Sequence, residues 1–554
     1  MSKDTEKLID AIRRSSTPVE NLLIDELAVG SVDRREFLRH GALLGLSLPL
    51  LSTLGGAFGL DMATAPRARA ASGGTIKVAC NVPTAAIDPV TAADAGGQIM
   101  LQQTGEFLTR STTDLLLKPV LAESWKPNDD GSVWTFTLRK GVKFHSGAEM
   151  KADDVVASIE RLADPANASN ALSVFGGVLS KGGTRKVDDR TVEFHLDAPN
   201  GNFPYLMSSD NPNAIIVPAG DAGDFEKNFI GTGPFKLEKY TPKVGASFVR
   251  NDDYWGPKAL VDRVEFSFFA DMVSQVLALQ ARQVDVITQL PVIQGVPLLS
   301  DPDIAILSIK SSAHTQIHMR NDMAPFTDKR VRQAVALCLD RKKLIKGLFR
   351  DRSDLGNDSP FAPVFPSTDT SVPQRDRDIA KAKQLLEAAG FASGLKVKLT
   401  TEKIIEIPEY CQIVQQAARD AGIAIDLNIL DQAAYYGDAV FGKSNWLDSD
   451  FAATDYGHRS VPNVVLSAPL KSDGAWNAAR FKNKDYDALV GRYAAALDLK
   501  AQRSAAGEIQ RLLLDETPII FSYFYDFLSA STKTVAGVQP TAMGQIFLGE
   551  ASVA

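Results

Sequence analysis

The segment Ala313-His314-Thr315-Gln316-Ile317-His318-Met319-Arg320 alternates, and in an extended strand this places His314, Gln316, His318 and Arg320 on one face. Such a face offers hydrogen bonds and positive charge to a ligand lying against it. It offers no metal site, because histidines four apart in a strand stand about 13 Å from each other at ~3.3 Å per residue. Tyr435, Tyr436, Trp446 and Trp476 could wall a binding pocket, since rings give contact area at low entropy cost, and each fits core packing equally well. Catalytic signatures are missing: the six histidines include no H-E-x-x-H, and no serine occupies a G-x-S-x-G elbow. Gly231-x-Gly233 is followed by Pro234 and a strand pattern, not by a helix whose N-terminus would cradle phosphate. Cys80, Cys338 and Cys411 are odd in number and lack C-x-x-C spacing, so they form neither a disulfide framework nor a zinc knuckle. No cofactor is expected. The chemistry open to this chain is recognition.

The elements that would hold these residues read in three stretches. Thr75 to Val82 alternates as a strand; Trp134 to Arg139 reads as one arm of a hairpin whose other arm is Val142-Lys143-Phe144; Val187 to Leu196 reads as a second hairpin. Asp153 and Asp154 precede an apolar-periodic run, where acidic residues suit a helix N-terminus. Between about 230 and 310 the order is strand, strand, helix, strand. From 327 onward, Asp328 to Leu348, Arg377 to Ala389 and Pro408 to Ala421 carry helical spacing, with strands at Leu395 to Leu399 and Ile423 to Leu427 between them. That alternation predicts a mostly parallel sheet covered on both faces. Pro518 to Ala530 reads as a buried strand that returns to the first part of the molecule.

With 554 residues, the chain exceeds the ~250 to 300 at which a single core stops growing, so two or three lobes are expected. A net charge of −7 with scattered basic residues gives no electrostatic footprint for nucleic acid. Near the N-terminus, Asp33-Arg34-Arg35-Glu36-Phe37-Leu38-Arg39 precedes an uncharged run from Gly41 to Leu60 and then Ala68-Arg69-Ala70. This arrangement resembles a twin-arginine export signal, cleaved after Ala70 and recognised by the twin-arginine translocase. Glycines, Pro49, Ser52 and Thr53 make the run too polar for a membrane anchor.

Four ordered stretches carry a wider resemblance: Leu121-Ala122-Glu123-Ser124-Trp125; Trp134 through Phe144-His145-Ser146-Gly147 with Ala152-Asp153-Asp154-Val155; Gly231-Thr232-Gly233-Pro234-Phe235 with Arg250-Asn251-Asp252-Asp253-Tyr254-Trp255; and Pro325-Phe326-Thr327-Asp328-Lys329-Arg330-Val331-Arg332-Gln333-Ala334. Together they resemble the family 5 extracellular solute-binding proteins, the periplasmic binders of peptide and nickel ABC importers. The resemblance implies an α/β, bilobal periplasmic-binding-protein fold, class II-like and of cluster C, with mixed sheets flanked by helices. It implies a signal peptide over 1–70, a first lobe over 71–318 with a subdomain insertion at about 110–230, a second lobe over 319–518, and a return to the first lobe over 519–554. Its partners would be a peptide or other small-molecule ligand closed between the lobes and the ABC permease that reads the closed form.

The shared motifs mark scaffold, and His145 within them is expected to be a packed, hydrogen-bonded histidine. In peptide-binding relatives an acidic residue at the place of Asp455 pairs with the peptide's α-amine. Asp455-Tyr456 matches that pattern, while His458-Arg459 departs from it and leaves open an internal Asp455–Arg459 pair. An ammonium taken out of water needs a charged partner, since leaving it unpaired would cost several kcal/mol. A cation for the ligand carboxylate is expected after the strand at 395–399, where Lys403 stands, although a lysine lacks the bidentate geometry of arginine. The candidate ligand-binding set is therefore Asp455, Tyr456, His458, Arg459, Trp446, Lys403, His318, Arg320 and Tyr435. Nickel chelates, glutathione, opines and oligosaccharides remain open as ligands, as does a ligand-sensing role.

Overall fold

The computed structural model describes residues 3–58, 60, 72–221 and 223–554. Its first lobe is built on a seven-stranded sheet ordered Ile304–Ile309, Phe527–Thr532, Val286–Ile287, Thr75–Asn81, Arg263–Phe269, Gly245–Arg250, Phe235–Thr241. The second lobe is built on a five-stranded sheet ordered Ile423–Leu430, Leu395–Glu402, Phe451–Tyr456, His314–Met319, Ile519–Phe521. The first two junctions of this second sheet are parallel and the last two antiparallel, so the sheet is mixed rather than mostly parallel. The antiparallel half is made by the two strands flanking the lobe crossings.

Those pairings correct the expected boundaries. His314–Met319 lies in the second sheet, so the chain leaves the first lobe at 310–313 and not after 318. Ile519–Phe521 also belongs to the second sheet, and the return crossing is 522–526. At these crossings Tyr523–Tyr525 pairs with Ser353–Leu355, and Lys310 bridges Asp354 and Asp526, at 3.0 Å from each.

A four-stranded antiparallel sheet, ordered Ala122–Pro127, Val133–Leu138, Thr191–His195, Thr184–Asp188, projects from the first lobe. Val133–Leu138 buries every second residue, and Phe136 meets Phe194 edge-on at 5.2 Å. This strand pairs with its two sheet neighbours and not with Val142-Lys143-Phe144, which forms only an isolated bridge from Lys143 to Glu149. Val142 and Phe144 are buried in the first-lobe core. Helix Ala152–Ala163 starts at the acidic pair as expected. The single helix expected over 328–348 is instead two, Lys329–Leu337 and Arg341–Phe349, because Asp340 caps the second by accepting a hydrogen bond from the Lys343 amide at 3.0 Å.

The motif residues do structural work. His145 Nε2 lies 3.0 Å from the Gly233 carbonyl, and its amide donates to the Gly231 carbonyl at 2.8 Å. Gly231 has no room for a side chain, since a Cβ there would overlap the Thr104 carbonyl. Gly231→Ala should therefore lower the thermal midpoint of the protein, at an overpacking cost of ~1–3 kcal/mol, with little change in ligand affinity. Trp134 donates its Nε1–H to the Asn200 carbonyl at 3.1 Å. In the second lobe, Asp358 is fully buried between Arg341 and Arg375, each at 2.7 Å.

The N-terminal segment forms four helices: α1 (Lys3–Ser15), α2 (Pro18–Ala28), α3 (Arg34–Leu43) and α4 (Leu48–Ala57). Asp33 caps α3 and shares a capping box with Glu36, so the twin arginines occupy the first turn of a helix. The apolar run expected over 41–60 is broken between α3 and α4, and no helix of the described residues is long and apolar enough to cross a membrane. Ala68-Arg69-Ala70 lies outside the described residues. Cys80, Cys338 and Cys411 are all buried and free.

Candidate functional site

Parallel strands of an α/β sheet present their carboxyl ends to a crevice, and there ligands are held. In the second lobe this edge carries Glu402, Asp455 and Tyr456, and it abuts the lobe crossings. Asp455 stands opposite Thr315 in the ladder and accepts a hydrogen bond from the Tyr525 hydroxyl at 3.0 Å. Tyr525 belongs to the return crossing, so the aspartate is tied to the hinge. Both residues keep partial solvent access although protein surrounds them.

Burial pushes the Asp455 carboxyl up to about 7, the negative charges of Glu402 and Glu406 add to the rise, and the Tyr525 hydroxyl opposes it. Glu402 accepts from Gln432 Nε2 at 3.0 Å and from the Tyr436 hydroxyl at 2.8 Å. Glu406 accepts from the first-lobe amides of Val292 at 2.9 Å and Ile293 at 3.3 Å, which links the lobes beside Asp455. Three carboxyl groups thus gather at one edge, and none of the hydrogen bonds or ion pairs described for Asp455 comes from a basic side chain. Such a place favours an incoming cation.

The other face of the same strand carries an aromatic box. Tyr456 stacks on His314 at 5.6 Å with the planes 8° apart, and it meets Trp446 at 6.4 Å and Trp476 at 6.2 Å. The Tyr456 hydroxyl, Trp446 Nε1 and His314 Nε2 are buried without a well-formed hydrogen bond among the described residues, although Trp446 lies close enough to the Tyr456 hydroxyl, and Gln316 to the His314 ring, for a weak one. Buried polar groups are ordinarily satisfied, so these three are groups that a ligand or bound water would complete. Burial lowers His314 to about 4, leaving a neutral ring.

Arg459 does not pair with Asp455. The charge of Asp210, on a first-lobe loop, acts on Arg459 instead; burial raises that carboxyl to about 7 against the opposing effect of the Ser460, Ser111 and Ser208 hydroxyls and of Arg459. The guanidinium donates to the His458 carbonyl at 2.8 Å, while its Nε is buried without a partner. His458 is neutral, pushed to about 3 by burial, and its Nδ1 accepts from the Ser312 amide at 3.0 Å. Asp210 and Arg459 thus act on each other electrostatically across the lobes, with no ion pair between them among the described contacts.

The remaining expected residues lie elsewhere. His318 and Arg320 stand toward the opposite end of their strand, where His318 Nε2 meets the Ser449 carbonyl at 3.0 Å and Arg320 grips Asp322 at 2.7 Å. Lys403 is exposed, with its amide bonded to the Leu430 carbonyl. Tyr435 is wholly buried and shares its hydroxyl with the Ala453 carbonyl and Thr454 Oγ1. Sequence reasoning missed Tyr525, Glu402, Glu406 and Asp210. Glu402 sits beside Lys403 in the very loop that was singled out, and an acidic residue ending a buried strand was the available signal; Asp210 gave none.

The family model for the bacterial extracellular solute-binding proteins, family 5, matches residues 117–494. The chain belongs to this family. It is 28% identical over 465 residues to heme-binding protein A of Haemophilus influenzae, covering 78% of this chain and 82% of that protein. It is 27% identical over 551 residues to a probable peptide ABC transporter periplasmic-binding protein of Sinorhizobium fredii, covering 93% and 98%. Among solved structures, the ABC transporter substrate-binding protein CtaP of Listeria monocytogenes superposes with a TM-score of 0.76 at 23% identity, over 87% of this chain and 99% of that one. As a family 5 member the chain is a binder of solutes, and the bilobal fold is that of the periplasmic binding proteins.

Proposed function

We propose that this protein captures an amine-bearing peptide or peptide-like solute between its lobes and delivers it to an ABC permease. The observation that carries the reading is Asp455: a carboxyl enclosed by protein, beside two further carboxyl groups, hydrogen-bonded to the hinge and without a basic partner among the described residues. A ligand ammonium supplies that partner, while Tyr456, Trp446 and Trp476 form a separate aromatic wall on the other face of the strand. Arg459, whose Nε is unsatisfied, is the cation available for a carboxylate. Residues 33–39 serve delivery through the twin-arginine translocase, with cleavage near Ala70; replacing Arg34 and Arg35 by lysine should leave the precursor in the cytoplasm.

Calorimetry with a library of di- to pentapeptides should give saturable heat. No heat from any peptide, with tight binding of a sugar or an opine, would overturn the reading. The pH profile is a second check. An ammonium needs Asp455 ionised, and the free carboxyl titrates at about 7. Affinity should therefore fall by up to about tenfold per unit as pH drops below 7, with a proton released on binding. Buffers of different ionisation enthalpy would reveal that proton, and a flat profile between pH 5 and pH 8 would remove Asp455 from the site.

A further inference from the structure

Helix α3 touches both lobes at once. On the first lobe, Arg35 pairs with Asp114 at 2.6 Å and the Leu43 carbonyl accepts from Trp125 Nε1 at 2.9 Å. On the second lobe, Arg39 Nη1 donates to the Val364 carbonyl at 2.8 Å, His40 Nε2 lies 2.9 Å from the Leu497 carbonyl, and Glu36 pairs with Arg503 at 2.6 Å. Apolar contacts repeat the pattern, since Leu43 belongs to the first-lobe core while Leu499 of the second lobe completes the core of α1–α4. The turn between α3 and α4 is fitted to its place: Gly45 has φ +89°, and a Cβ there would overlap the Trp125 carbonyl.

The seam beneath α3 is a contact between lobes. The Gly201 amide donates to the Ala494 carbonyl at 2.8 Å, and Asn202 Nδ2 donates to Asn463 at 3.0 Å. Opening must break these contacts. Arg39 reaches further in, lying against the first-lobe Tyr205 and close enough to His458 to disfavour a charge on its ring.

We propose that α3 and α4 are an intramolecular clasp: while the N-terminal segment remains attached, it ties the two lobes together across the seam and holds the solute space shut. Separate anchors on each lobe mean that hinge opening has to tear α3 from one of them. Removing the segment therefore converts a locked binder into one free to open, so that capture begins only after processing. This inference is independent of the ligand's identity.

The test uses the full chain with a site-specific protease sequence at residues 62–68. Lys181→Cys in the first lobe and Lys396→Cys in the second, at exposed side chains, take spin labels, while the native cysteines are buried. Without ligand, the uncut protein should show one short inter-label distance. After cutting and separation of residues 1–60, a longer-distance population should appear. In the uncut chain, Glu36→Arg should produce the same longer population, and adding Arg503→Glu should restore the short one. Unchanged distances in both the cut, separated protein and the Glu36→Arg chain would overturn the clasp, as would a longer population already present in the uncut wild type.

Discussion

Asp455→Asn should weaken an amine-bearing ligand by more than about tenfold, the loss expected when a charged hydrogen bond is removed, and should at the same time raise the thermal midpoint of the unliganded protein at pH 8. Both effects follow from one geometry. The folded carboxyl titrates at about 7, against ~3.9 for an unperturbed aspartate. Between those values the unfolded chain is ionised while the folded one keeps its proton, so stability falls as pH rises from about 4 to 7 and the full penalty holds above 7. Three units correspond to at most about 4 kcal/mol. Asparagine keeps the acceptor for Tyr525 and removes the charge, so the variant should melt higher at pH 8, with the gap closing toward pH 4. A constant gap across that range would mean that Asp455 is not held protonated, and unchanged affinity would mean that it does not meet the ligand. If a ligand ammonium meets Asp455, it would relieve the unfavourable charge that the folded carboxyl carries above pH 7.

The second large effect lies away from the ligand. Asp358→Ala should destabilise the second lobe by ~3–5 kcal/mol, because it leaves Arg341 and Arg375 buried without their counter-charge. Asp358 also accepts from the Phe521 amide at 3.2 Å, next to the return crossing, so the loss should loosen the hinge. Replacing all three charged residues with apolar ones of similar volume should recover much of the stability. Thermal melting of the two variants decides it, and equal destabilisation in both would show that packing, not uncompensated charge, sets the cost.

What could be read from the chain follows from the range of the forces involved. Helix caps, alternating strands and glycine turns are local, and Asp153, Gly231 and the pairs Leu395–Glu402 and Ile423–Leu430 came out where the pattern put them. The division of Asp328 to Leu348 was also local, and Asp340 marked it. The lobe boundaries were not legible, because His314–Met319 and Ile519–Phe521 choose their sheet through partners more than a hundred residues away. Of the candidate site, Asp455, Tyr456 and Trp446 lie close in the chain, whereas Tyr525 joins them from the return crossing, Glu406 from a neighbouring strand-to-helix turn and Asp210 from the first lobe, contacts that only the tertiary fold creates. His318 and Arg320 shared the predicted strand with His314 but lie toward its other end.

The strand Phe527–Thr532 sits inside the first-lobe sheet, between Ile304–Ile309 and Val286–Ile287. A growing polypeptide reaches residue 309 with a gap in that sheet that is filled only when Phe527–Thr532 has been made. Until then two apolar strand edges stay open to misjoining with other chains. Synthesis from the N-terminus therefore cannot finish the first lobe first. Holdase chaperones should engage this protein until that strand has emerged, and a premature stop before residue 527 should yield an aggregate instead of a shortened binder.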